Sequence, residues 1–177
     1  MRIYWIITGS VFKIGVLIVL LGAIQSCRSR KPQSENAVWG EIENKLGIRI
    51  QQQSDLQFYK EVVKWLGTPY KFGGNSSQGI DCSGFVMTIY EVVFGRKLPR
   101  QSAQQHKESR PVTAKKLAPG DLYFFDIQGK GVSHVGMHLT DDYFIHASTK
   151  KGVIVSSLKE TYYSKSFVGF GAFRYGD

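Results

Sequence analysis

The chain has 177 residues, 42% of them hydrophobic, which is enough for one domain of ordinary size with a real core and excludes disorder throughout. Its formal net charge of +9 stays strongly positive when Arg2 and Lys13 are set aside, and such a surface suits anionic lipid head groups, an acidic wall polymer or plain solubility. Cys27 closes an apolar segment and Cys82 stands at a loop-helix junction, so the two cysteines do not read as a disulfide framework.

Residues 1–26 carry Arg2 and Lys13, no acid, and an apolar run from Ile14 to Ile24 that is too short to cross a bilayer. This pattern reads as a signal peptide. Ile24-Gln25-Ser26-Cys27 resembles the bacterial lipobox, whose cysteine is lipidated and becomes the new N-terminus, although Gln25 departs from the usual small or apolar residue. An uncleaved anchor over Ile3 to Leu21 is the competing reading, disfavoured because Lys13 would lie in mid-membrane. Either reading takes the domain out of the cytoplasm to the cell envelope, where nucleic acid is not a partner. Residues 27–53 then comprise the lipidated cysteine, a tether and a short extension. Arg28, Arg30 and Lys31 fall where they would meet lipid phosphates.

Val38 to Leu46 is expected to form a short helix closed by Gly47, followed by a brief strand at Ile48-Arg49-Ile50. Ser54-Asp55-Leu56-Gln57 matches a capping box, and Leu56, Tyr59, Val62, Val63 and Leu66 supply one apolar stripe. Gly67 ends this helix and Pro69 prevents its restart, delivering Tyr70 into a glycine-rich loop.

Phe85, Val86, Ile89, Val92 and Val93 then recur at helical spacing until Gly95. Asp81 fits the N-cap, and Cys82 falls in the first turn. There the unpaired backbone N–H groups and the helix dipole favour thiolate, opposed by the charge of Asp81. A cysteine opening an apolar helix is otherwise an ordinary small core residue.

Leu98 to Gln101 reads as a turn, and Ser102-Ala103-Gln104-Gln105 as a second capping box, with His106 a solvated polar residue on the helix it opens. A tight turn at Leu117 to Asp121 leads into a buried strand, Leu122 to Phe125. Further strands are expected at His134 to Leu139, Tyr143 to Ala147, Gly152 to Val155 and Phe167 to Tyr175. Helices first and strands later indicate an α+β fold with an antiparallel sheet packed on the Cys82 helix.

A thiol nucleophile needs a base and a third group that holds the base in the right tautomer. The candidates are His106, His134, His138 and His146. On the first histidine-bearing strand His134, Gly136 and His138 share one face; on the next, Phe144, His146 and Ser148 do. A simple two-residue loop at Asp141-Asp142 would put His146 on the face opposite His134. A three-residue loop or a bulge makes the two histidines diagonal neighbours, with Asp142 suited to the left-handed position such a loop needs.

Gly67 to Tyr70, Gly73-Gly74, Asp81 to Phe85, Leu98-Pro99-Arg100, Pro119 to Leu122, Ser133 to Gly136 and Phe144 to Ser148 together resemble the NlpC-type bacterial cell-wall cysteine peptidases. The resemblance spans about Leu56 to Tyr175 and assigns 54–177 to a peptidase domain. It implies a papain-like α+β fold and hydrolysis of peptidoglycan stem or cross-link peptides, either between D-alanine and a diamino acid or at a γ-D-glutamyl bond. It also implies Cys82 as nucleophile, His134 as base, His146 as the orienting residue and Tyr70 as a donor near the oxyanion, beside the Cys82 N–H. Asp81 and Ser83 fall where family members contact a substrate amine. His138 stands where an aromatic is usual, and its role is open.

A monomer without cofactor is expected. The alternative to an enzyme is a catalytically silent wall-binding lipoprotein on the same fold. A metal site is disfavoured because His134-x-x-x-His138 on a strand spans about 13 Å, too far for two ligands at about 2 Å from one ion.

Overall fold

The computed structural model describes residues 34–173. Cys27, the apolar segment before it and the basic tether lie outside the described residues.

Helix α1, Glu35–Leu46, buries Trp39, Ile42 and Leu46 and ends at Gly47, whose φ of 69° is the left-handed turn that glycine accepts. The brief strand expected after it does not form, because the Glu43 carboxylate takes the N–H of Ile50 at 2.9 Å in place of a neighbouring strand. Helix α2, Leu56–Val62, is capped by Asp55 in the left-handed region at φ 54°. The expected capping box is therefore absent: Ser54 lies one residue too early, and its N–H bonds Gln52. Residues Val63–Trp65 tighten into a 3-10 turn, which lets Trp65 pack edge-on against Phe85 at 6.3 Å.

A two-stranded ribbon, β1 at Asn75–Ser76 and β2 at Gly79–Ile80, leads into α3, Cys82–Phe94. Helix α4, Ser102–Glu108, also lacks its expected capping box. Ser102 is already inside the first turn, and the fully buried Gln105 donates instead to the carbonyls of Ser83 at 3.1 Å and Pro99 at 2.8 Å. His106 on this helix is not free in solvent, since its ring meets Phe124 edge-to-face at 4.8 Å.

The remaining elements are β3, Arg110–Val112; β4, Leu122–Phe125; β5, His134–Thr140; β6, Tyr143–Ser148; β7, Gly152–Ser157; α5, Thr161–Ser166; and β8, Phe167–Ala172. The strands form one antiparallel sheet in the order β3-β8-β4-β5-β6-β7. Its alternation separates two cores. Leu122, Phe124, Val135, Met137 and Ile145 face Phe85, Val86 and Ile89 of α3 and Phe58, Tyr59 and Val62 of α2. Tyr123, Phe125 and Phe144 point to the opposite face, where Tyr163 of α5 closes a second, aromatic cluster. Burying each such ring stabilises the fold by about 2 kcal/mol.

Pairing of β5 with β6 answers the parity question. The turn is the two-residue Asp141-Asp142, with Thr140 opposite Tyr143, but the register shifts between His138 and Thr140 and returns as His138 opposite Phe144 and Met137 opposite Ile145. Leu139 is the extra residue of a bulge, which twists β5 and brings His134 and His146 to one face. The left-handed residue is Asp141 at φ 47°, not Asp142. Gly136 completes the arrangement: a Cβ there would lie 2.6 Å from Phe144 Cδ2 and 3.1 Å from His146 Cβ, so any side chain would push β6 away.

Candidate active site

Tyr70, Gly73 and the Ser133-His134 start of β5 line the depressions that meet at Cys82. Gly67 donates to the Val153 carbonyl and Val153 to that of Thr68, both at 2.9 Å, which ties the loop after α2 to the start of β7. Beyond Pro69 the chain runs parallel to β2, with Tyr70 bridged to Ile80. Tyr70 is thereby set beside the nucleophile. Gly84 in the first turn of α3 lets the Gly73-Gly74 loop lie against the helix, since a Cβ there would collide with the Gly74 carbonyl oxygen.

Asp81 caps α3, accepting from the Gly84 N–H at 2.7 Å, and also accepts from the Gly73 N–H at 2.8 Å. Arg100 grips the same carboxylate as a fork, Nη1 to Oδ1 at 2.8 Å and Nη2 to Oδ2 at 2.7 Å, and donates to Ser83 Oγ at 3.0 Å and the Gly74 carbonyl at 3.2 Å. Burial opposes ionisation of Asp81, but Arg100 and the two N–H groups hold its carboxyl below the usual carboxylate range. Both oxygens of the expected amine contact are thus already engaged within the protein.

Cys82 is a free, buried thiol. Neighbouring backbone N–H groups, that of Val135 after His134 foremost, favour thiolate. Burial nonetheless pushes the thiol pKa up, and Asp81 adds to the rise. The thiolate expected from the helix terminus is therefore corrected to a resting thiol: desolvation outweighs the N–H groups.

His134 Nε2 lies 2.9 Å from His146 Nδ1, with the rings nearly perpendicular at 88°. The other nitrogen of His146, Nε2, is 3.1 Å from both Ser156 Oγ and Tyr163 OH. Burial lowers the His134 pKa to about 4, and burial together with His134 holds that of His146 well below its ordinary value. Both rings are neutral at physiological pH.

Two depressions meet at Tyr70, Cys82 and Ser133. One, of about 140 Å³, is lined by His134, His146, Gln128, Thr149 and Tyr162; the other, of about 300 Å³, by Phe72, Asp81, Ser83 and Arg100. Phe72 stands 89% exposed at the rim. Burial, Cys82 and Asp81 all raise the Tyr70 pKa, so its phenol keeps the proton that an oxyanion would need.

His138 shares the face of His134 but sits elsewhere. Its Nδ1 is 2.9 Å from Tyr123 OH, its ring stacks on Tyr123 at 9° between planes, and it lines a separate cavity of about 250 Å³ with Gln51 and Thr140. Sequence reasoning did not single out Arg100, Ser156 or Tyr163 for the site. Ser156 lies one residue past the expected strand end at Val155; in the structure β7 continues through it, opposite Phe144 and on the His146 face.

A sequence model of the NlpC/P60 family matches residues 67–172. A relative in Escherichia coli K12, described as a probable endopeptidase NlpC, is 44% identical over 108 residues, covering 60% of this chain and 70% of its own. The murein DD-endopeptidase MepS/murein LD-carboxypeptidase of the same strain is 41% identical over 107 residues, 60% of this chain and 56% of its own. The crystal structure of an NlpC/P60 family protein from Bacillus cereus superposes with a TM-score of 0.62 at 34% identity, over 70% of this chain and 41% of the other. The chain thus spans less than half of that solved protein. It belongs to the NlpC/P60 family.

Proposed function

We propose that the chain is a cysteine endopeptidase that cleaves peptides of peptidoglycan, with Cys82 as nucleophile, His134 as base, His146 as the residue that orients the base, and Tyr70 with the Cys82 N–H as oxyanion donors. The observation that carries this reading is the 2.9 Å bond from His134 Nε2 to His146 Nδ1, which commits one nitrogen of His134 and leaves Nδ1 to serve the thiol in the same cleft. The MepS relative, described as a murein DD-endopeptidase, supplies the substrate class.

Because thiol and imidazole both rest neutral, the thiol proton moves to His134 as sulfur attacks the carbonyl carbon. The new imidazolium donates from Nε2 to His146, and the oxyanion takes hydrogen bonds from Tyr70 and the Cys82 N–H. His134 then protonates the leaving amine, producing a thioester. Water, deprotonated by the same ring, hydrolyses the thioester and restores the thiol. Asp81 and Ser83, which line the second depression, are the substrate-binding residues of this reading, held in place by Arg100.

Lipid on Cys27 belongs to the same proposal, as does removal of the segment before it; both would hold the enzyme at an envelope membrane, within reach of the wall. Digestion of purified muropeptides by the chain in detergent, with the products weighed, tests the activity. Cleavage of cross-links and of stem peptides releases different masses, and intact muropeptides would contradict the proposal.

A further inference from the structure

We infer that Ser156 and Tyr163 are positioning residues for this reaction: their hydroxyls jointly accept the Nε2 proton of His146, which sustains the tautomer that lets His134 receive a proton from Cys82. The inference rests on the Cys82-His134-His146 reading and extends it by one link.

A neutral imidazole carries one N–H. If His134 is to accept at Nδ1, its own proton must sit on Nε2, where it donates to His146 Nδ1 across 2.9 Å. His146 Nδ1 is then bare, and the His146 proton must sit on Nε2. That atom meets two hydroxyl oxygens, Ser156 Oγ and Tyr163 OH, each at 3.1 Å. The opposite polarity is the harmful one. With the His146 proton on Nδ1, His134 Nε2 becomes the acceptor, its proton moves to Nδ1, and an N–H rather than a lone pair faces the sulfur.

His146 is 1% exposed, so an Nε2–H without an acceptor would be a buried unpaired donor. The hydroxyls, able to accept as well as to donate, remove that penalty and so make the useful tautomer available. They come from different elements. Ser156 is on β7, diagonal to His146, which pairs with Ile154. Tyr163 is on α5, and its ring is held by Phe125 at 5.5 Å, Phe144 at 5.1 Å and His146 at 5.1 Å, which fixes where its hydroxyl points. A hydroxyl accepts this proton without adding charge, unlike a carboxylate, and so leaves the histidine pair neutral.

The test uses the full chain in detergent with Ser156→Ala, Tyr163→Phe and the double variant, none of which removes ring packing. Each single variant keeps one acceptor and should lose roughly two- to fivefold in kcat, whereas the double should lose about fiftyfold with KM nearly unchanged. Ser156→Thr in the Tyr163→Phe background should restore kcat to within about threefold of Tyr163→Phe. Nitrogen NMR of the unmodified chain should find both histidines protonated at Nε2, and the double variant should show His146 shifting its proton to Nδ1. A His146 proton on Nδ1 in the unmodified chain overturns the inference, even if no variant folds. So does a folded double variant with full kcat, or one whose loss comes without a change in tautomer. His146→Ala separates the levels: if it is fully active the underlying triad fails, whereas if it is impaired and the double variant is not, only this extension fails.

Discussion

His134 and His146 are joined at 2.9 Å through Nε2 and Nδ1, although they reach each other only because β5 carries an extra residue at Leu139. One ring is therefore the base and the other its holder. His134→Ala should remove nearly all activity, more than about a thousandfold, while His146→Ala should leave a weak remainder because orientation is degraded and the base survives. His146→Asn or His146→Gln should retain more than Ala, since either can hydrogen-bond the His134 ring. His138→Ala should matter less than either. A His138 substitution more damaging than one at His146, measured as kcat/KM, would contradict these roles.

Burial that lowers the His134 pKa to about 4 has a defined sign. The base is lost only when the ring protonates, so kcat/KM should hold through pH 6 and fall as pH drops through about 4, rather than halving near the ordinary histidine value. Stability follows the same groups. An unfolded histidine protonates near its ordinary pKa of about 6.5 and the folded one far lower, so the unfolded chain binds more protons between these values. Stability should therefore decline as pH falls from about 6.5 toward 4. An activity profile with its acid limb centred near pH 6.5 would show that the ring is not desolvated as described.

Arg100 is the clasp on Asp81 and the Gly74 carbonyl. Arg100→Ala should cost about 1–2 kcal/mol in denaturant unfolding, discounted because the guanidinium is partly exposed. It should also raise the Cys82 pKa further, since the Asp81 charge is then uncompensated beside the sulfur. Slower alkylation of Cys82 by iodoacetamide at neutral pH checks this, and faster alkylation would contradict it.

Cys27→Ala should release the domain from membranes or block removal of the preceding segment. Fractionation and intact-mass measurement read the result. An unmodified Cys27 thiol within an intact N-terminus would favour an uncleaved anchor.

Much of this was legible in the sequence because local signals carried it. Asp81, Cys82 and the apolar spacing from Phe85 to Val93 define a capped helix, and strand alternation placed His134, Gly136 and His138 on one face. What escaped depended on partners distant in sequence. Helix α5 is six residues long, too short to show a period, yet it supplies Tyr163. The capping boxes failed for different reasons: Gln105 is drawn inside by the carbonyls of Ser83 and Pro99, whereas α2 starts one residue later than expected, with Asp55 rather than Ser54 at its N-cap. The charge state of Cys82 was misread because a helix terminus is visible in sequence and the depth of burial is not.

The role of Cys82 is tested most directly by comparing the unmodified chain with Cys82→Ala and Cys82→Ser on muropeptides, with products followed by mass and folding by thermal unfolding. Cys82 is confined at a helix start beside an open groove, so both variants should stay folded within about 1.5 kcal/mol while product formation falls more than about a thousandfold. Cleavage that survives in either folded variant would remove Cys82 as the nucleophile, and an unmodified chain that binds muropeptides without cutting them would make this a silent wall-binding protein.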